Sequence, residues 1–167
     1  MSGEDVAIGI TVERADPGCA DALALIDALS NTLTALTGAS GRASFDPADV
    51  RGARACFAIA RGPGGALGCG ALRPLEAEGQ GDVGEIKRMF ARPGTAGVGS
   101  AVLRFLEAEA ARLGYTTLRL ETRLVNARAV AFYERRGYVR IANYGRYVGK
   151  PEAACFEKRL RAGAATA

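Results

Sequence analysis

The chain has 167 residues, of which 49% are hydrophobic and 24% charged, and this balance predicts one folded domain, residues 1–167, with a substantial core. No apolar run approaches the ~20 residues of a membrane-spanning helix, and the first residues lack a basic-then-apolar leader, so we expect a cytoplasmic protein with no membrane partner. The net charge is +4, but no dense basic run is interleaved with aromatic residues, so nucleic acid is not an expected partner.

The first half of the chain predicts a strand, a long helix and a β-hairpin. Proline is favoured at helix starts, so Asp16-Pro17 is placed to open the helix, and leucines recur after it at three- or four-residue spacing. A Gly-Pro-Gly-Gly turn at 62–65 separates two strand-like runs. The predicted elements are a strand over 6–14, a helix from 16 to about 36, a loop or short helices over 37–49, strands over 53–61 and 66–73, and an exposed polar segment over 74–82.

The second half predicts strands that alternate with two helices. Gly114 and Gly137 each follow a run with helical periodicity, so each is expected to end a helix. The predicted elements are strands over 83–92, 116–122, 138–141 and 155–160, and helices over 100–113 and 126–136. The resulting order, β-α-ββ-β-α-β-α-β-β, predicts a mixed sheet with helices on its faces.

A glycine turn precedes the second predicted helix. The backbone N–H groups of Gly97, Val98, Gly99 and Ser100 lie at the helix start, where they lack intrahelical partners and the helix dipole attracts anions. Glycines allow a phosphate to approach without a Cβ in the way. The turn is neither a Walker loop nor a Rossmann fingerprint, because no Lys-Ser/Thr follows it and its spacing is GxxGxG. A phosphate cradle and a plain tight turn both remain open.

The sequence contains no histidine, and its cysteines are far apart in the chain. Without histidine, Ser-His-Asp and Cys-His catalysis are excluded, and a general base must be a carboxylate, tyrosine, cysteine, lysine or water. The four cysteines form no CxxC pair, so we expect no metal site and no disulfide framework, and we interpret them as small apolar residues. They are Cys19, Cys56, Cys69 and Cys155.

Positive charge is concentrated in the second half of the chain. Residues 85–161 contain 16 basic and 7 acidic residues. This excess suits an anionic ligand such as a nucleotide cofactor. The alternative is a compositional bias, because 19 of the 22 basic residues are arginine.

The segment 126–138 reads Asn-x-x-Ala-x-x-Phe-Tyr-x-x-x-Gly-Tyr, about 30 residues after the glycine turn. Together with that turn it resembles the GNAT superfamily of N-acetyltransferases, and the resemblance covers roughly residues 6–161. It implies an α/β (α+β) fold with a mixed, mostly antiparallel central sheet of about seven strands, helices on both faces, and splayed strands 4 and 5. It also implies acetyl-CoA as cofactor, with the pantetheine arm bound by the backbone of Met89, Phe90 and Ala91 and the pyrophosphate by residues 97–100.

The resemblance further implies that an amine attacks the thioester directly. Glu85 matches the catalytic glutamate of some members, whereas the alternative is an ion pair with Lys87 on the same strand face. Tyr133 matches the tyrosine that protonates or bonds the departing sulfur, whereas the alternative is a packed aromatic. Asn126 matches a residue that contacts the cofactor, although an N-cap explains it nearly as well.

The expected function is therefore acetyl transfer to a primary amine of a small or amino-acid-like molecule. The alternative is a CoA-binding sensor with the same fold and little catalysis, because Gly94 stands where family loops carry a basic or amide side chain. Exposed strand edges are compatible with a homodimer.

Overall fold

The structure is a computed structural model that describes residues 9–75 and 82–161. Its α-helices in these residues are α1 (Ala20–Thr37), α2 (Val98–Arg112) and α3 (Ala127–Arg135). The strands are β1 (Thr11–Ala15), β2 (Cys56–Gly62), β3 (Gly65–Pro74), β4 (Val83–Ala91), β5 (Thr117–Arg123), β6 (Val139–Ile141) and β7 (Ala153–Arg159).

The strands form one seven-stranded sheet in the order β1-β2-β3-β4-β5-β7-β6. Among the strands described, only β4 and β5 pair in parallel, and every other neighbouring pair is antiparallel. A mixed, mostly antiparallel sheet of seven strands was the prediction, and it is confirmed.

Helices α1 and α2 cover opposite faces of the sheet because alternate strand residues point to opposite sides. Phe57 and Ile59 of β2 belong to the apolar cluster that contains Leu25 of α1. Ala58 of the same strand belongs instead to the cluster that contains Leu106 of α2. The prediction of helices on both faces is confirmed.

Local hydrogen bonds shift several predicted boundaries. Helix α1 begins only after Cys19, because the Asp16 carboxylate accepts a 2.7 Å hydrogen bond from Gly18 N–H and closes a turn there. Helix α2 begins two residues earlier than predicted, because Gly97 is its N-cap. Most of the polar segment predicted over 74–82 and the start of the first predicted strand lie outside the described residues. Over the two described ranges, no helix is long and apolar enough to cross a bilayer.

Strands β4 and β5 separate soon after they meet. They pair only at Val83↔Thr117, Gly84↔Leu118 and Glu85↔Arg119, although β4 continues to Ala91. Beyond Glu85, the described part of the chain places no strand on this edge of β4. The predicted splay between the fourth and fifth strands is therefore present.

A β-bulge lies in β4 where the two strands part. On β3, Gly70 faces two β4 residues, Arg88 and Met89, because the register shifts between its neighbours. Arg88 has φ 54, a left-handed conformation that non-glycine residues rarely adopt. Its guanidinium donates hydrogen bonds to Ser30 Oγ at 2.6 Å and to the Ser40 carbonyl at 3.1 Å. These bonds hold the bulge, which bends β4 at the mouth of the gap.

Gly68 of β3 provides a test of how closely β3 packs against the β4 backbone and the start of α2. A Cβ there would lie 2.6 Å from the Phe90 carbonyl oxygen and 2.5 Å from Val98 Cγ1. We expect Gly68→Ala to lower the free energy of unfolding by about 1–3 kcal/mol, because the β4 backbone cannot withdraw without breaking its ladder with β3. Urea denaturation measures the change. The control is Gly64→Ala in the hairpin turn, where a Cβ meets nothing within 4 Å; equal stability of the two variants would contradict the expectation.

Candidate functional site

A cavity of about 270 Å³ occupies the gap between β4 and β5. Its walls come from residues 86–89 of β4, 121–123 of β5, the α3 residues around Tyr133, the end of α1 with the loop that follows it, and the segment 146–150. It has polar and charged groups on every side, and so it suits a polar ligand rather than an apolar one.

Glu85 lies beside this cavity with both carboxylate oxygens engaged. Arg73 of β3 lies opposite it in the sheet, and the Arg73 guanidinium is 2.8 Å from Oε1. The Tyr144 hydroxyl donates a 2.6 Å hydrogen bond to Oε2. Glu85 is 2% exposed and does not line the cavity. An ion pair was one of the two predicted alternatives for Glu85, but its partner is Arg73 and not Lys87.

Lys87 points its ammonium group into the cavity wall. Its Nζ donates hydrogen bonds to Tyr147 OH at 2.8 Å and to Ser44 Oγ at 3.1 Å. The residue is buried, and burial lowers the pKa of Lys87 to about 8. The site therefore holds an ammonium group whose charge is costly where it lies.

Glu121 of β5 also lines the cavity. Burial raises the pKa of this carboxyl group above its usual value. Its Oε1 is buried and has no hydrogen-bond partner among the described residues, and Arg123 Nε lies 4.0 Å from it. Sequence reasoning missed Glu121, because a carboxylate in an alternating strand is usually a solvent-facing residue. A carboxylate in a cavity with an oxygen that accepts no hydrogen bond is a candidate proton acceptor.

Tyr133 and Asn126 of the predicted motif both line the cavity. Tyr133 is buried among Phe132 and Tyr138, with ring centroids 5.1 and 5.7 Å away, and burial raises the pKa of its hydroxyl above the usual value. Asn126 is the N-cap of α3, because its Oδ1 accepts a 3.3 Å hydrogen bond from Ala129 N–H. Its capping role is confirmed, and contact with a cofactor stays a prediction.

The predicted phosphate cradle lies at the start of α2. Gly97 has φ 75, which suits glycine, and the first helical bond runs from Ala101 N–H to the Gly97 carbonyl at 3.0 Å. The N–H groups of Val98, Gly99 and Ser100 precede that bond, so they have no intrahelical partner. This arrangement fits the phosphates of a nucleotide cofactor through backbone donors.

A basic side chain lies near this loop at the end of α3, where Arg136 is the C-cap, whereas Gly94 offers no side chain. Gly94 has φ 81, and a Cβ there would meet nothing within 4 Å. The guanidinium of Arg136 stacks 4.0 Å from the centroid of the Phe132 ring, and that ring lies 3.4 Å from the position of a Cβ at Gly99. Arg136 therefore brings positive charge to the flank of the cradle.

The structure brings only some of the predicted site residues together. Met89, Asn126 and Tyr133 line the cavity, whereas Glu85 and residues 97–100 do not. Phe90 and Ala91 extend the free edge of β4 from the cavity toward the start of α2. Tyr147 and Ser44, which hold Lys87, lie in short 3-10 helices, Gly145–Tyr147 and Arg42–Ser44, whose positions the sequence pattern does not determine.

The chain is similar to proteins of one family. Residues 24–138 match the model of the Acetyltransferase (GNAT) family. A relative from Azospirillum brasilense, described as an IAA acetyltransferase, is 31% identical over 153 residues, which cover 90% of this chain and 98% of the relative.

Solved structures share the fold. A protein from Klebsiella pneumoniae assigned as an acyl-CoA N-acyltransferase has a TM-score of 0.74 at 30% identity, covering 91% of this chain and 98% of that one. The N-acetylglutamate synthase of Neisseria gonorrhoeae, solved with coenzyme A and N-acetyl-glutamate, has a TM-score of 0.66 at 18% identity and covers 92% of this chain and 35% of its own. The match over residues 24–138 and the 31% identical relative show that this chain belongs to the GNAT acetyltransferase family, a family of N-acyltransferase enzymes.

Proposed function

We propose that the protein is an acetyl-CoA-dependent N-acetyltransferase that acetylates a primary amine of a small or amino-acid-like acceptor by direct attack. The observation that supports this proposal is the cavity between the diverging strands, whose lining includes Glu121 and Tyr133 beside the free edge of β4. A carboxylate and a tyrosine are the proton acceptor and donor that such a transfer requires.

Two elements of the chain would hold acetyl-CoA. The N–H groups of Val98, Gly99 and Ser100, with Gly97 as N-cap, would bind the phosphates, and Arg136 would add charge beside them. The free edge of β4 at Met89, Phe90 and Ala91 would bind the pantetheine arm, with Asn126 and Tyr133 nearby. When bound, acetyl-CoA supplies a thioester carbonyl that an amine can attack.

The proton transfers are assigned to two side chains. Glu121 would accept a proton from the acceptor's ammonium group, because burial raises its pKa and so makes it a stronger base, and its Oε1 accepts no hydrogen bond among the described residues. Tyr133 stays protonated at neutral pH, because burial raises its pKa, so its hydroxyl can donate a proton at the departing sulfur. Glu85 remains the alternative base, but both of its oxygens are held by Arg73 and Tyr144.

A second candidate function is a CoA-binding sensor with little catalysis. The observation that favours it is Gly94, which leaves the loop without the charged or amide side chain of the family pattern. The sensor would be supported if calorimetry showed tight binding of CoA while no amine caused thiol release from acetyl-CoA. Besides amines, the compounds to be tried should include IAA, since one relative is described as an IAA acetyltransferase.

Tyr133→Phe tests the proton donor. We expect kcat to fall about 10²–10⁴-fold with little change in CoA affinity, because only the hydroxyl is removed. Release of free thiol from acetyl-CoA with a panel of amines measures kcat, and calorimetry measures CoA binding. The matched control is Tyr138→Phe, since that neighbouring hydroxyl is buried without a partner among the described residues and does not line the cavity. Equal losses in the two variants would argue against a proton-donor role.

Glu121→Gln and Glu85→Gln, compared across pH, identify the base. In the wild type kcat/KM should fall as pH drops through the raised pKa of Glu121, because a protonated carboxyl group cannot accept a proton. We expect Glu121→Gln to lose this fall at low pH, the acidic limb of the profile, and to be about 10²–10⁴-fold slower. Glu85→Gln should keep the limb and lower stability, because it weakens the pair with Arg73. Loss of the limb in Glu85→Gln alone would assign the base to Glu85.

A further inference from the structure

The ammonium group of Lys87 is buried in the cavity wall with neutral partners only. Its two hydrogen-bond acceptors are the hydroxyl groups of Tyr147 and Ser44. Among the described residues, no carboxylate lies within ion-pair distance of its Nζ, and nearby Glu85 is instead bound to Arg73 and Tyr144. Buried charges in proteins are normally paired, so an ammonium group that has no paired carboxylate in the described part of the chain is unusual.

The rest of the cavity reinforces the positive charge. Its described lining contains five basic residues and one acidic residue, Glu121. Of the basic residues, Arg123 is paired with Glu152 at 3.1 Å, and Arg146 donates a 2.8 Å hydrogen bond to the Ala43 carbonyl. The five basic residues are Lys87, Arg88, Arg123, Arg146 and Lys150. A concave surface of one sign concentrates ligands of the opposite sign.

We propose that the cavity binds an acceptor that carries a carboxylate as well as its amine, and that Lys87 Nζ is the direct partner of that carboxylate. This inference rests on the proposed function and specifies its substrate class. Tyr147 and Ser44 are positioning residues, since their hydroxyl groups accept two of the three ammonium protons and leave one donor for a ligand. Glu121 stands on β5, on the other side of the gap, where the amine of the same molecule would give up its proton.

The charges around Lys87 agree with this role. Burial lowers its pKa to about 8, which makes the ammonium group sensitive to a ligand carboxylate. The charged groups that act on it come from several elements: Glu85, Glu121, Arg73 and Arg146, the first two raising and the last two lowering its pKa. Tyr147 faces it from the segment before β7, and burial keeps that hydroxyl protonated.

Calorimetric titration with N-acetyl amino acids tests the carboxylate site without acetyl-CoA. These probes contain the carboxylate but no free amine, so they can bind but cannot be acetylated. We expect the wild type to bind an acid more tightly than its carboxamide, and Lys87→Met to weaken binding of the acid about 10- to 100-fold, as for loss of a charged hydrogen bond. The matched control is Lys158→Met, which removes a lysine outside the cavity that pairs with Glu107. Equal binding of acids and amides, or an equal effect of the two variants, would overturn the inference, as would no binding of any acid at about 10 mM.

A pH series on the wild type provides a second measurement that needs no variant. Lys87 is charged below pH 8 and loses its proton as pH rises through that value. The Kd of the acid should therefore rise by up to about tenfold per pH unit above pH 8, whereas the Kd of the amide should not. A Kd of the acid that stays constant from pH 7 to about 10 would overturn the assignment to Lys87.

Thiol release separates this inference from the proposed function. The value compared is kcat/KM for an amino acid divided by kcat/KM for its amide. We expect this ratio to be about 10- to 100-fold lower in Lys87→Met than in the wild type. Comparing the ratio between the two proteins cancels the difference in basicity between the two amines. Thiol release with no change in this ratio would overturn the inference and leave the acetyltransferase intact. If acids bind in a way that depends on Lys87 but no amine causes thiol release from acetyl-CoA, the proposed acetyltransferase function is overturned and the anion site remains.

Discussion

The parting of β4 from β5 after three parallel pairs is the constraint on which the site depends. If the strands stayed paired to their ends, their edges would bind each other and no cavity would form between them. Beyond Glu85, their separation leaves the β4 edge without a strand partner among the described strands, and a cavity of about 270 Å³ lies beside it. The bulge at Arg88 bends β4 at the same place, and its bonds to Ser30 and Ser40 tie that bend to α1 and the loop after it. The bulge in the β4 backbone and the cavity therefore arise at the same point of the strand.

A chain of buried polar contacts supports one wall of the cavity. Arg73 and Tyr144 hold Glu85, the rings of Tyr144 and Tyr147 meet edge to face at 5.6 Å, and Tyr147 accepts the hydrogen bond from Lys87. These contacts join β3, β4 and the segment before β7. They also give two nearby carboxylates different environments, since Glu85 is fully engaged and Glu121 is not. A pair of similar groups in different environments is a common way to divide structural and acid–base roles.

Local signals in the sequence predicted most of the fold. Helical periodicity located α2, Asn126 marked the start of α3, and the Gly-Pro-Gly-Gly turn marked the β-hairpin. The partner of Glu85 was not predictable, because it depends on the register between β3 and β4, which a bulge shifts by one residue. The position of Glu121 depends on the separation of two strands, which no local pattern encodes. Lys87 was noticed, but its burial beside the segment around Tyr147 is a tertiary property.

The lack of histidine has a consequence beyond the exclusion of histidine catalysis. Histidine is the side chain whose charge ordinarily changes near neutral pH, and this chain has none. Burial also raises the pKa of Cys56 to about 11 and that of Cys69 to about 12, so these thiols keep their protons. Among the described residues, Lys87 is a side chain whose pKa, lowered by burial to about 8, lies close to neutral pH. By thermodynamic linkage, an anion that enters the cavity and pairs with Lys87 would draw protons from solution in this range, so proton uptake on binding would report occupancy of the cavity.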